Sequence, residues 1–261
     1  MILDSIVQKK KETLLQQSIS YKKEEYLEAI GRMPKPQSFY RAIKKPGLSI
    51  IGEIKKASPS KGMIKEDFNP IEIARTYEKA VDAISVLTEE HFFIGRTEYL
   101  QQVHDAVSLP ILRKDFILEE VQIYEGRRLG ASSILLIASI LDKEKLQEFI
   151  QIIHSLDMDA LVEVHGEEEV TKAIEAGAKI IGVNNRNLND FSVDLHTTLR
   201  LRRYIPEDIL LISESGIHSK EDIQFLWKAG IDGILVGESF MRTNNILEKA
   251  KEFRMAYGDQ D

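Results

Sequence analysis

Eight short apolar runs, LSIIGEI, DAISVLT, LPILRKD, SILLIAS, DALVEVH, KIIGVNN, ILLISES and GILVGES, recur along the chain with a helical-period segment between successive runs. Runs this short and rich in β-branched residues suit strands buried on both faces. Parallel strands must be joined by a long crossover, commonly a helix. Eight units of about 26 residues therefore predict an α/β fold of the (β/α)8 barrel type at its usual length. A doubly wound open sheet is the alternative, but eight regular units with no second domain favour closure. Three of the links end a helix at Gly130, Gly177 or Gly230 two or three residues before the next strand, where glycine tolerates the left-handed conformation.

We expect residues 1–261 to form one domain, with residues 1–46 as an N-terminal helical extension. Ile2, Leu3, Ile6 and Val7 share a helix face, Pro34 and Pro36 divide the segment, and Ser38 caps a second short helix, FYRAIKKPG, ending at Pro46 and Gly47. Such an extension either plugs one barrel end or acts as a lid over the substrate.

Composition excludes several classes. Charged residues at 30% and apolar ones at 43% describe a soluble globular chain. The longest nearly apolar run, ILLIASIL, is far short of the roughly 20 residues that span a bilayer. The N-terminus lacks the order of a secretory signal, so no membrane partner or export is expected. With no cysteine there are no disulfides or thiolate ligands, which fits a cytoplasmic enzyme. A net charge of −7 and the lack of an aromatic-interleaved basic platform argue against nucleic acid. No oligomeric state follows from the sequence.

In such barrels the active site lies at the C-terminal strand ends. Those ends carry Glu53 and Lys55, with Ser58 beyond; Glu89, Glu90 and Phe93; Lys114, Asp115 and Phe116; Glu163; Asn184, Asn185 and Arg186; Glu214, Ser215 and Gly216; and Gly237, Glu238 and Ser239. Singly, each has a structural reading: Glu53 and Lys55 as an ion pair, Lys114 solvated, Glu163 bonded to a backbone N–H. Together, inward charges from several strands indicate a polar cavity in which they neutralise one another. The Ser215-Gly216 and Gly237-Glu238 turns follow the last two strands, where backbone N–H groups commonly hold phosphate.

These residues fall into a recognisable pattern. ILDSIV, FYRAIKKPG, IGEIKKASPSKG, ISVLTEEHFFIG, PILRKDFI, LLIASIL, LVEVH, IGVNNRNL, ISESGI and LVGESFM make the chain resemble the indole-3-glycerol phosphate synthases over nearly its whole length. The resemblance implies a (β/α)8 barrel that converts 1-(2-carboxyphenylamino)-1-deoxyribulose 5-phosphate, a small sugar phosphate, into indole-3-glycerol phosphate in tryptophan biosynthesis, with loss of carbon dioxide and water and without metal or organic cofactor. It also implies roles: Lys114 as the acid, Glu163 as the base, and Lys55 as partner of the substrate carboxylate or leaving hydroxyl. Glu53, Asn184 and Glu214 would orient sugar hydroxyls and hold the lysines. Phe93 and Phe116 would wall the anthranilate ring, Ser58 and Arg186 would contact anions, and SPSKG would form a mobile loop. Lys56 and Lys61 are expected to be solvated. A lysine serves as acid when its neighbours bring its pKa toward neutral.

Two positions depart from the family pattern. Glu238 stands where serine also occurs, and its carboxylate would repel phosphate unless only its N–H faces inward. Arg96 follows Gly95 where a smaller serine is common. The chain has no nucleotide-binding glycine motif or H-E-x-x-H zinc motif, and its six histidines are scattered. The rival readings are a Schiff-base aldolase and a non-catalytic sugar-phosphate binding barrel.

Overall fold

The computed structural model describes residues 2–17, 23–188, 190–243 and 245–258; residues 1, 18–22 and 259–261 of the expected extension and domain, with 189 and 244, lie outside the described residues. Eight barrel strands, β1 (Ser49–Ile54), β2 (Ala83–Leu87), β3 (Ile111–Lys114), β4 (Ser133–Ile137), β5 (Asp159–Val164), β6 (Ile180–Asn184), β7 (Leu210–Glu214) and β8 (Gly233–Val236), pair in parallel. They close in sequence order, with β1 hydrogen-bonded to both β2 and β8. The expected (β/α)8 barrel is therefore the observed fold. Gly130, Gly177 and Gly230 all have positive φ (94°, 92° and 59°), as the helix-ending role requires.

The two-residue period of a strand sorts each run into two layers. Val162 and Val164 of β5 join the apolar layer between strands and helices, whereas Leu161 joins the cluster inside the barrel. Ile51, Leu112, Ile212 and Leu235 extend that inner cluster on β1, β3, β7 and β8. The next residue of the same parity on β1, β3, β5 and β7 is Glu53, Lys114, Glu163 and Glu214. The charges thus form a layer over an apolar floor.

The extension contains α1 (Ile2–Gln17), α2 (Lys23–Gly31) and α3 (Phe39–Ile43). Ser38 caps α3 by accepting the Arg41 N–H, but the helix stops at Ile43, three residues before Pro46. The residue before a proline resists the α conformation, which explains the early end. The plug and the lid are separate pieces. Phe39 and Ile43 of α3 are fully buried in the inner cluster, and the Tyr40 N–H reaches Asp159 at the start of β5, so α3 closes the bottom of the barrel. Ile2, Leu3 and Ile6 of α1 instead line the cavity at the opposite end. No helix of the described residues is long and apolar enough to cross a membrane.

Candidate active site

The cavity at the C-terminal end of the barrel is lined by Glu53, Lys55, Ser58, Phe93, Lys114, Phe116, Glu163, Asn184, Arg186, Ser215, Gly216, Gly237 and Glu238. Of the strand-end residues named from sequence, Glu89, Glu90, Asn185 and Glu214 are not in that wall; of these only Glu214 was given a role in the site. Glu214 lies just behind it, 1% exposed, and touches the cavity through Lys114.

Lys114 Nζ is 2.5 Å from Glu214 Oε2 and 3.5 Å from Glu163 Oε2. The Asn184 amide donates to Glu163 Oε1 at 3.1 Å, and Lys55 pairs with Glu53 across β1. Three carboxylates therefore share two ammonium groups. Burial alone would favour neutral Lys114, but Glu214, Glu163 and Glu53 outweigh it and hold the group above its ordinary range. The expected drift toward neutral does not occur in the free site, because the carboxylates are too close. Burial likewise pushes Glu53 up, but Lys55 and Lys114 bring it below the usual carboxylate range.

Glu214 is pushed up to about 7 by burial and by Glu163 and Glu53, against the attraction of Lys114. Its pair with Lys114 taken alone calls for an ionised carboxylate, yet the two directions agree once the other donors are counted. Glu53 has Lys55 and Glu163 has Asn184, whereas Glu214 Oε1 is buried with no partner. Of the three carboxylates, Glu214 is the one that most readily carries a proton, and Lys114 remains charged.

Two glycines make room for this layer. A Cβ on Gly182 of β6 would stand 2.1 Å from Glu214 Oε1, and one on Gly237 would stand 2.4 Å from Glu53 Oε1. A glycine inside a strand is a legible sign of such close approach.

Phe93 and Phe116 form one wall, their ring centroids 6.2 Å apart. Glu89 holds the Phe93 segment by accepting the N–H groups of His91, Phe92 and Phe93 at 3.0, 2.7 and 3.0 Å. Ser58 lies in a two-stranded ribbon, Ala57–Ser58 with Gly62–Met63, that forms the base of the SPSKG turn. The Arg186 guanidinium donates to the Phe191 carbonyl at 3.1 Å, and its N–H reaches Asn184 Oδ1 at 3.0 Å. At the opposite rim Ser215 and Gly216 take consecutive positive φ values of 67° and 81°. Consecutive backbone N–H groups in such a turn can converge on an anion.

Lys61 is not simply solvated: its ammonium stands 3.6 Å from Glu238 Oε1 and it lines the cavity. The same Glu238 oxygen accepts from Arg242 Nε at 3.1 Å. Two cations thus neutralise the carboxylate that looked hostile to phosphate. Sequence reasoning missed this contact, and it missed Leu188 and Phe191, which complete the apolar wall together with the α1 side chains. Among the described residues no group of three or more histidine, aspartate or glutamate side chains could hold a metal ion.

The family model of indole-3-glycerol phosphate synthase matches residues 3–253. The chain belongs to that family. A relative from Acetivibrio thermocellus named indole-3-glycerol phosphate synthase is 50% identical over 258 residues, covering 97% of this chain and 99% of its own. One of the same name from Clostridium acetobutylicum is 45% identical over 261 residues, covering 97% and 99%. Among solved structures, a 3-hexulose-6-phosphate synthase matches with TM-score 0.64 at 16% identity, covering 80% of this chain and 99% of that one. A thiamine phosphate pyrophosphorylase from Pyrococcus furiosus matches with TM-score 0.57 at 18% identity, covering 80% and 95%. At those identities the likeness concerns the barrel alone.

Proposed function

We propose that this chain converts 1-(2-carboxyphenylamino)-1-deoxyribulose 5-phosphate into indole-3-glycerol phosphate. The observation that carries the reading is Lys114, an ammonium held between two carboxylates in a cavity that also has an aromatic wall and, at its rim, the left-handed Ser215-Gly216 turn. The substrate needs each of these features: an acid for its carbonyl oxygen, a wall for its ring and an anion site for its phosphate.

In this reading the ring carbon bearing the carboxylate attacks the carbonyl carbon while Lys114 protonates the oxygen. Carbon dioxide then departs and its bonding electrons restore the aromatic ring. In the last step the hydroxyl leaves with a proton from an ammonium, and Glu163 removes the proton from the neighbouring carbon. Lys55, already paired with Glu53, faces the substrate carboxylate or the leaving hydroxyl. Glu214, which carries a proton readily near neutral pH, can return one to Lys114 after each donation. Ser58 and Arg186 contact anionic groups, and the turns at Ser215, Gly216, Gly237 and Glu238 take the phosphate. Asn184 orients Glu163, to which it donates.

A Schiff-base aldolase would need Lys114 or Lys55 as a neutral amine. Lys114 is instead held as the ammonium, which favours the acid. Incubation with the carboxyphenylamino substrate tests the proposal. Indole-3-glycerol phosphate should appear by its fluorescence, and borohydride should trap no adduct. Binding without turnover would support the non-catalytic barrel.

A further inference from the structure

His165 lies two residues beyond Glu163 at the end of β5, on the same side of the chain, and the reaction scheme gives it no part. Its Nε2 is buried with no hydrogen-bond partner and faces Glu163 Oε1 at 3.5 Å. On the other side of the ring, Nδ1 is 3.4 Å from Glu169 Oε2, which also accepts the His165 backbone N–H at 2.8 Å. The helix Glu167–Glu175 thereby fixes that carboxylate against the ring.

Glu169 accepts only, so it selects the tautomer with hydrogen on Nδ1. The Nε2 lone pair then points at a Glu163 oxygen. Two acceptors face one another with no hydrogen between them, an arrangement that is unfavourable until a proton arrives. Glu163 is the group that receives one during turnover.

The geometry points to His165 as a positioning residue for the base: it shares the proton that Glu163 takes from the reaction intermediate. The inference rests on the reading of Glu163 as the base. In the step itself, the carbon–hydrogen bond of the intermediate breaks, its electrons form the new ring double bond, and the hydroxyl leaves as water. The proton becomes an O–H on Glu163 that donates to Nε2, so the newly formed acid is stabilised before it is released. The His165 side chain is 19% exposed and also lines a second cavity with Ser139, Glu169, Asn184, Arg186 and Arg200, so its protons can exchange with solvent.

The same contact makes the base sensitive to pH. The ring is faced by Glu163 from β5, Glu169 from the helix Glu167–Glu175 and Glu214 from β7, and Arg186, Asp194 and Arg200 line the second cavity with it. Burial lowers the affinity of the ring for a second proton, but Glu169, Glu163 and Glu214 raise it above the ordinary histidine value. An imidazolium directs its own N–H at Glu163 and occupies the base. Activity should therefore rise with pH as His165 loses that proton.

The test is the pH profile of kcat and kcat/KM for the full chain and its His165→Asn, Glu169→Gln and Glu163→Gln variants, with thermal unfolding of each. His165→Asn should lower the plateau by roughly tenfold, less than the hundredfold or more supplied by a direct proton-transfer group. It should also move the acid limb to lower pH. Glu169→Gln, which removes the charge that favours the imidazolium, should move the limb in the same direction. An unshifted limb in either folded variant overturns the inference, even if the plateau falls. Should His165→Asn fail to fold, Glu169→Gln and an imidazole nitrogen NMR titration decide: the His165 midpoint should drop in Glu163→Gln, and an unchanged midpoint is contradictory. Near-normal turnover in Glu163→Gln would instead remove the base reading itself.

Discussion

Arg113 and Lys114 are neighbours on β3, the first a buried and the second a half-buried cation, and they face opposite layers of the barrel. Arg113 points outward. Its guanidinium donates to the Gln122 carbonyl at 2.7 Å and to Thr88 at 3.3 Å, and it pairs with Glu125 at 2.8 Å and Asp115 at 3.4 Å. Asp115 is in turn bound by Lys10 of α1 at 2.7 Å, by the Thr88 hydroxyl at 2.7 Å and by the Phe116 N–H at 2.8 Å. Lys114 points inward, where one ammonium is contested by three carboxylates and Glu214 Oε1 has no donor. A buried charge that only supports structure is surrounded by enough partners to offset its desolvation. The inward cluster departs from that rule, as the proposed reaction requires of a site that substrate enters and whose proton moves.

The largest expected effect that would break this comparison is on stability. Arg113→Met leaves Asp115 and Glu125 without their shared cation, so it should cost about 3 to 5 kcal/mol while the folded fraction turns over nearly normally. A stable Arg113→Met protein with little turnover would put the outward cluster in the chemistry as well. The effect at Glu214 is smaller and depends on pH. Its folded pKa of about 7 lies above the ordinary 4.5, so its contribution to stability is fully present below 4.5 and is lost as pH rises through 7. Glu214→Gln is neutral throughout. Its melting temperature relative to the parent should therefore be more favourable at pH 8 than at pH 5, each kcal/mol being worth about 2 to 4 °C in a chain of this size. A difference independent of pH would mean that Glu214 is ionised at both.

The barrel was legible because strand period and strand spacing are local properties. The inward parity of Glu53, Lys114, Glu163 and Glu214 follows from the apolar residues before them, whereas the space that Gly182 and Gly237 leave for those carboxylates is apparent only in the fold. The charge state of Lys114 was not legible. It depends on carboxylates brought together from three other strands, at distances set by barrel closure. Lys10 with Asp115 and Lys61 with Glu238 were missed for the same reason: each pair joins segments more than a hundred residues apart and leaves no periodic trace. His165 was passed over as one of six scattered histidines, and only its contacts with Glu163 and Glu169 set it apart.

The central claim is that Lys114 is placed in the cavity for its proton and not for the fold. Lys114→Met retains most of the apolar stem, removes the ammonium and relieves none of the outward network. Turnover and thermal unfolding of that variant, measured on one preparation, test the claim directly. The account predicts turnover lower by roughly 100-fold to 10,000-fold, with a cooperative melt and KM changed far less. Near-normal turnover in the folded protein, with a melting temperature lowered as for a broken structural ion pair, would contradict it.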